Sequence, residues 1–280
     1  MMIVTLIRIE LSKIFSKWRS FIGFIAVGVL VPIIQVALYT EGDEYFNLFT
    51  QTLQQQFDFT GKMTNGYLIA FVTLQSLYVH IPLLIALVMG DLLAGEATAG
   101  TYRLLLVRPV SRFQVVTSKF LAGLVYTNLL ILWMAILSLG LSVVLFGKGE
   151  LLIVGDSLTI LGADDIVWRF LWAYGYAAGS MVAVAALSFL FSALVENAIG
   201  PIASTMAIII VLTIISTLNA PFIVAIKPFL LTTHLNGWKF FFEQTPNWSK
   251  IMTSATALAC YVVVFYTTAV IIFKRKDILT

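Results

Sequence analysis

Between Phe170 and Ile226 the chain carries a single charged residue, Glu196. As one helix that stretch would extend about 85 Å, nearly three times the hydrocarbon thickness of a bilayer. It has to fold back, and the turn chemistry available is Glu196-Asn197 followed by Gly200-Pro201. Six stretches lack Asp, Glu, Lys and Arg over the roughly 20 residues that a membrane-crossing helix needs. They are Phe21 to Thr40, Gly66 to Gly90, Phe120 to Gly147, Phe170 to Val195, Ala198 to Leu218 and Ile251 to Phe273. With 60% hydrophobic and 11% charged residues, the composition excludes a soluble globule and a disordered chain. The single cysteine, Cys260, excludes a disulfide scaffold and reads as a packing residue. The chain is expected to be an all-α integral membrane protein, one domain over residues 1–280 with six transmembrane helices.

Six crossings put both termini on one side, and Lys and Arg decide which. Arg8, Lys13, Lys17, Arg19, Arg103, Arg108, Arg112, Lys119, Lys274, Arg275 and Lys276 share one side, against Lys62, Lys148, Arg169, Lys227, Lys239 and Lys250 on the other. Both termini are therefore expected in the cytoplasm of a cell whose plasma membrane the protein spans. A net charge of +3 is too small to argue for nucleic acid. Before the first span, Ile3, Val4, Ile7, Leu11, Ile14, Phe15 and Trp18 fall in one helical arc with Arg8, Lys13 and Lys17 outside it. That pattern predicts an amphipathic helix over 1–19 lying on the inner membrane surface. Outside, Phe46, Phe49, Leu53 and Phe57 predict a short interfacial helix. Asn219 to Lys250, broken by Pro221, Pro228 and Pro246, predicts a re-entrant segment before the last helix.

The chemistry present is sparse. No G-x-x-x-x-G-K-[ST] motif occurs, so the chain has no means of hydrolysing ATP by itself, and no enzyme constellation is visible. His80 and His234 have no ligand spacing with Cys260 or the scattered Met residues, which argues against a metal site. The spans contain no carboxylate and one titratable imidazole, His80. The uncharged polar residues Gln35, Gln75, Asn128, Tyr174 and Tyr176 join His80 as candidate pathway-lining residues, although such groups also bond within and between helices. Gly175 and Gly179 form a G-x-x-x-G step whose simplest use is internal packing. The most informative segment is Asp91 to Lys119, too rich in both charge and leucine for a plain solvated loop. Gly95 and Gly100 allow bends around Glu96, and Tyr102 to Val107 can form a short amphipathic helix ended by Pro109. Ser111 and Gln114 predict a capping box opening the third span.

At this loop the sequence resembles the type-2 permeases of the ATP-binding-cassette exporters, through Gly95-Glu96, Gly100-Thr101, Leu104-Leu105, Pro109-Val110-Ser111-Arg112 and Lys119. The resemblance extends over essentially the whole chain, ending in Phe273-Lys274-Arg275-Lys276-Asp277-Ile278. It implies a permease subunit that forms the translocation pathway with a second copy or a paralogue in the lipid bilayer. It also implies a separate ATPase subunit as partner, which would use the ATP and Mg, while this chain binds no cofactor. By the same resemblance the loop couples to that ATPase through Glu96, Thr101, Arg103, Arg108, Pro109, Ser111 and Arg112. Two other classes stay open: a carrier driven by an ion gradient, and a membrane scaffold without transport.

Overall fold

The computed structural model describes residues 2–54, 64–101, 110–154 and 158–276, with 43–54, 154 and 158 described by backbone alone. Helix α1 (Met2–Ser16) turns at Lys17 into α2 (Trp18–Gln54). The second apolar stretch is two helices, α3 (Gly66–Tyr78) and α4 (Ile81–Met89), inclined by 47°. Asn65 starts α3 by accepting the amides of Tyr67 and Leu68. Pro82, which has no N–H to continue the ladder, sits at the break. A short α5 (Asp91–Thr98) follows at once, then α6 (Arg112–Phe146), whose residues Ile136–Leu141 form a π turn. The capping box is present: Ser111 Oγ accepts the Gln114 amide, and the Gln114 side chain accepts the Ser111 amide. Gly147, at φ 75°, ends α6 where a side chain would be strained.

An antiparallel hairpin, β1 (Leu151–Val154) with β2 (Leu158–Leu161), leads into α7 (Ala163–Leu194). A break at 195–198 turns the chain into α8 (Ile199–Thr217), with the Asn197 side chain accepting the Ile199 amide. The short helices α9 (Pro221–Ile226) and α10 (Leu231–Leu235), each followed by 3-10 turns, precede the last helix, α11 (Trp248–Arg275). Five helices are long and apolar enough to cross a bilayer, six if α3 and α4 count as one bent span. The protein is thus an almost entirely helical, multi-pass membrane-type bundle.

Helix α7 is its axis, since 67% of its most apolar window is buried against 17–28% in the other four. It packs on α4, α6, α8 and α11, and the small residues Ala173, Ala177, Ala183, Ala185 and Ala186 on its buried face let backbones approach. At one end Arg169, 4% exposed, pairs with Asp165 and donates to the carbonyls of Phe241 (2.8 Å), Glu243 (2.6 Å) and Gln244 (3.2 Å). This guanidinium pins the segment after α10, whose Trp238, Phe241 and Phe242 are buried with Phe71 and Phe170 around them.

Several expectations change. The interfacial helix expected on Phe46, Phe49, Leu53 and Phe57 is no separate element as far as Gln54, because α2 runs through Gly42 without a break. Residues 55–63 lie outside the described ones. The fourth apolar stretch begins earlier, with Arg169 inside the helix and not in a loop. The hairpin at 151–161 was not expected, although Gly155-Asp156-Ser157 between two four-residue apolar runs is a hairpin signal in the sequence. Gly95 makes no bend: it lies within α5, where a Cβ would collide with the Asp91 carboxylate, while Gly100 takes the bend at φ 65°. Cys260 faces outward, and nothing lies within 4 Å of a Cβ built at Gly175 or Gly179, so neither is an internal packing position. Arg169→Ala would strip three carbonyls of a charged donor, and a loss of about 3 kcal/mol is expected in detergent-denaturation experiments. A change under about 0.5 kcal/mol, the level of an ordinary surface substitution, would show that the clasp is not structural.

Candidate functional site

At the other end of the bundle, α1, α2, α5 and α6 meet around charge. Lys119, near the start of α6, is 1% exposed. An ammonium group cannot be buried there without partners. It has two: Glu10 Oε2 of α1 at 2.7 Å and Glu96 Oε1 of α5 at 2.6 Å. Lys13, one turn after Glu10, reaches the same carboxylates at 2.7 and 3.0 Å. A further turn on, Lys17 and Arg19 hold Asp91, the first residue of α5, at 2.8 and 2.5 Å. Burial pushes the Glu10 carboxyl up, but Lys119 and Lys13 outweigh it and hold it below the usual carboxylate range. Burial likewise disfavours the Lys13 ammonium, yet Glu10 and Glu96 raise it above the usual lysine range.

Helix α5 is also fastened to α7. Ser192 Oγ, buried on α7, accepts the amides of Leu93 (3.0 Å) and Ala94 (2.9 Å) and donates to the Gly90 carbonyl at 2.6 Å. It caps the first turn of α5 from another helix, satisfying donors for which α5 has no capping side chain of its own. At its other end Thr98 donates to the Glu196 carbonyl at 2.6 Å. Beside the cluster lies a cavity of about 430 Å³, bounded by Leu6 and Ile9 of α1, Glu96, Thr101, Val110 and Val115.

The loop residues singled out in the sequence fall in different places. The Glu96 carboxylate turns into the cluster, and its Oε2 is buried without a hydrogen-bond partner. Thr101 closes the turn after α5 onto the Glu96 carbonyl. Ser111 is the exposed cap of α6. Arg112 donates to the carbonyls of Lys274 (3.1 Å) and Lys276 (2.7 Å), placing a cation on the C-terminal end of α11. Arg103, Arg108, Pro109 and the expected helix at 102–107 lie outside the described residues.

The six candidate pathway residues do not converge within one chain. Gln35 is buried and ties α2 to the π turn through the Leu137 carbonyl and Ser142. Tyr174 is bonded to Ser138, and Tyr176 donates to the His234 carbonyl at 2.7 Å. Gln75, His80 and Asn128 are exposed on the outside of the bundle. Among the described residues no three His, Cys, Asp or Glu side chains gather as a metal site. Sequence reasoning missed Glu10, Lys13, Asp91 and Ser192. Glu10 had a readable signal, as the one acid in an otherwise basic first segment, whereas nothing distinguished Ser192 from other span serines.

A family model described as "Protein of unknown function (DUF2705)" matches residues 19–279. The chain belongs to this family. Within the DUF2705 match lie Asp91, Glu96, Arg112 and Lys119, while α1, with Glu10 and Lys13, precedes it. The chain is also 29% identical over 209 residues to "Uncharacterized protein YhcI" of Bacillus subtilis (strain 168), covering 69% of this chain and 63% of that protein's length.

Lys119→Met would leave two buried carboxylates to the half-exposed Lys13, and a loss of about 3–5 kcal/mol is expected, read from denaturation in mild detergent. Restoring opposite charges in the pair, as Glu10→Lys with Lys119→Glu, should recover part of it. Glu10, held below its ordinary 4.5, contributes stability that is present above pH 4.5 and lost as pH falls below it. Lys13, held above 10.5, contributes stability present below pH 10.5 and lost as pH rises further. Protease protection of α1 should therefore hold between those values and fall on either side. Protection that declines steadily between pH 5 and 9 would contradict this.

Proposed function

We propose that this DUF2705 chain is the permease subunit of an exporter driven by a separate ATP-binding-cassette ATPase. In this reading α1 lies at the inner membrane surface, α3 with α4 forms the second of six spans, and the segment from α9 to the 3-10 turn ending at Phe242 is the re-entrant element. Both termini face the cytoplasm, and two permeases enclose the pathway in the plasma membrane. The ATPase supplies ATP and Mg chemistry; this chain is not an enzyme and transmits force.

The observation that carries the reading is the fixing of α5 by four neighbouring helices. Ion pairs join it to α1, to α2 through Arg19, and to α6, and the Ser192 cap joins it to α7. A coupling segment has to pass a displacement to the spans instead of absorbing it, which requires interactions that differ between two states of the assembly. The segment between α4 and α6, which carries the resemblance to type-2 permeases, is anchored in that way at its start by α5 and at its end by the capped first turn of α6. The ATPase docks on this segment, at the exposed Ser111 and the half-buried Thr101. Glu96 and Arg112 set the position of that surface from within.

The experiment is purification of the tagged full chain from its own membranes in mild detergent. A stoichiometric co-purifying chain bearing a G-x-x-x-x-G-K-[ST] motif is expected. Glu96→Ala and Arg112→Ala should each lower its recovery or its ATP turnover at least fivefold while leaving this chain inserted. Wild-type recovery and turnover in both variants, or no ATPase at all, would remove the reading.

A further inference from the structure

The ladder of α6 is interrupted at Ile136–Leu141 by the π turn, and only Ser142–Phe146 follows before Gly147 ends the helix. A π turn inserts a residue that the α-helical ladder does not accommodate, and such turns are frequent where helices bend or function. Side chains from two other helices close on this one. Gln35 of α2, buried, donates through Nε2 to the Leu137 carbonyl and to Ser142 Oγ, each at 2.9 Å. Ser138 is bonded to the Tyr174 hydroxyl of α7. We propose that the π turn is a hinge on which the outer end of α6 swings away from α7, with Gln35 and Tyr174 as the catches that hold it shut. The hinge stands on the geometry of the bundle; its use as the outer gate of a pathway rests on the exporter reading above and deepens it by naming the residues.

What lies beyond the hinge is tied together. The Gly66 amide donates to the Gly147 carbonyl at 3.0 Å, and the Asn65 side chain donates to the Glu150 carbonyl at 2.6 Å. A Cβ at Gly66 would collide with the carbonyls of Ser142 and Gly147, so the start of α3 lies directly against the last turn of α6. Helix α3 has its own break at its other end, the 47° bend before α4, and Tyr78 fixes that end to Ser180 (2.5 Å) and to the Leu235 carbonyl (2.7 Å). In α2, Pro32 removes an amide from the ladder just before Gln35. Three neighbouring spans are thus locally weakened, as a hinge that concentrates its motion in a few residues requires. The catch is also poised to release. Gln35 spends its nitrogen, but its Oε1 is buried without a hydrogen-bond partner, a desolvation cost that the closed arrangement bears and an open, hydrated one does not. Opening would turn Gln35, Ser138, Ser142 and Tyr174 from a sealed contact into polar lining.

The test is electron–electron distance measurement between spin labels on the full Cys260→Ala chain in nanodiscs, together with any chain that co-purifies and diluted with unlabelled protein so that only distances within one chain are read. Val144→Cys lies beyond the hinge and Leu132→Cys before it; each is paired with Leu171→Cys on α7, and all three positions are exposed. The 144–171 pair should show a main distance and a longer minor one, and the 132–171 pair a single distance. Gln35→Leu, and independently Tyr174→Phe in case one variant fails to insert, should raise the longer 144–171 population about fivefold, as for the loss of one net hydrogen bond, with 132–171 unchanged. A single 144–171 distance in the parent chain and both variants, or equal shifts in both pairs, would overturn the hinge. The two readings fail separately. A co-purified ATPase whose ATP turnover leaves 144–171 at one distance in all three chains would overturn the hinge and spare the exporter; two populations with the expected response, in a chain that brings down no ATPase, would support the hinge and remove the exporter.

Discussion

Lys119 is a cation placed at the threshold of an uncharged span, and its burial organises one whole end of the molecule. Removing an ammonium group from water costs several kcal/mol unless carboxylates replace the lost hydration. Glu10 and Glu96 do so, one from α1 and one from α5, so a single side chain on α6 fixes where two other elements must lie. Asp91 repeats the device with Lys17 and Arg19, holding the turn between α1 and α2 against the start of α5. Consequently α1 is more than a greasy float. Ile7, Leu11, Ile14 and Phe15 of its apolar arc pack on the bundle, leaving Val4 and Trp18 exposed, while Glu10 and Lys13 are committed to ion pairs.

The opposite end solves a similar problem with a different partner set. Arg169 is buried as Lys119 is, but backbone carbonyls of the segment after α10 take most of its donors. Arg169 and Ser192 stand on the same helix, α7, 23 residues apart in number and therefore separated by about 35 Å along its axis. That distance is close to the thickness of a bilayer's hydrocarbon core. One buried helix thus holds the far-end segment with one clasp and α5 with the other, and its middle is lined with Ala, Ser and aromatic residues. A displacement of α5 therefore has a direct path along α7 to the far end, in addition to the path through α6.

The apolar stretches, the fold-back near Glu196 and the Ser111 cap were legible because each rests on local chemistry: charge-free length, turn residues, and a hydroxyl three residues before an amide. Boundaries were less so. The absence of charge locates hydrocarbon, but helices continue past it, as α2 does to Gln54, α6 does from Arg112 and α7 does from Ala163. What stayed hidden was pairing across distance. Glu10 and Lys119 are 109 residues apart, and Leu93 and Ser192 are 99 apart. No periodicity in one sequence reports such meetings. Gly95 misled for a related reason: a glycine next to a glutamate reads as a hinge, whereas its actual use is to make room for Asp91 one helical turn earlier.

The account depends on the charged end of the bundle lying in the cytoplasm, where a motor can reach it. The most direct measurement is labelling by a membrane-impermeant maleimide of Thr101→Cys and Val110→Cys, each in the Cys260→Ala chain. No reaction in intact cells and full reaction in inverted membrane vesicles is the predicted result. Reaction in intact cells, with none in inverted vesicles, would place this end outside and contradict the account.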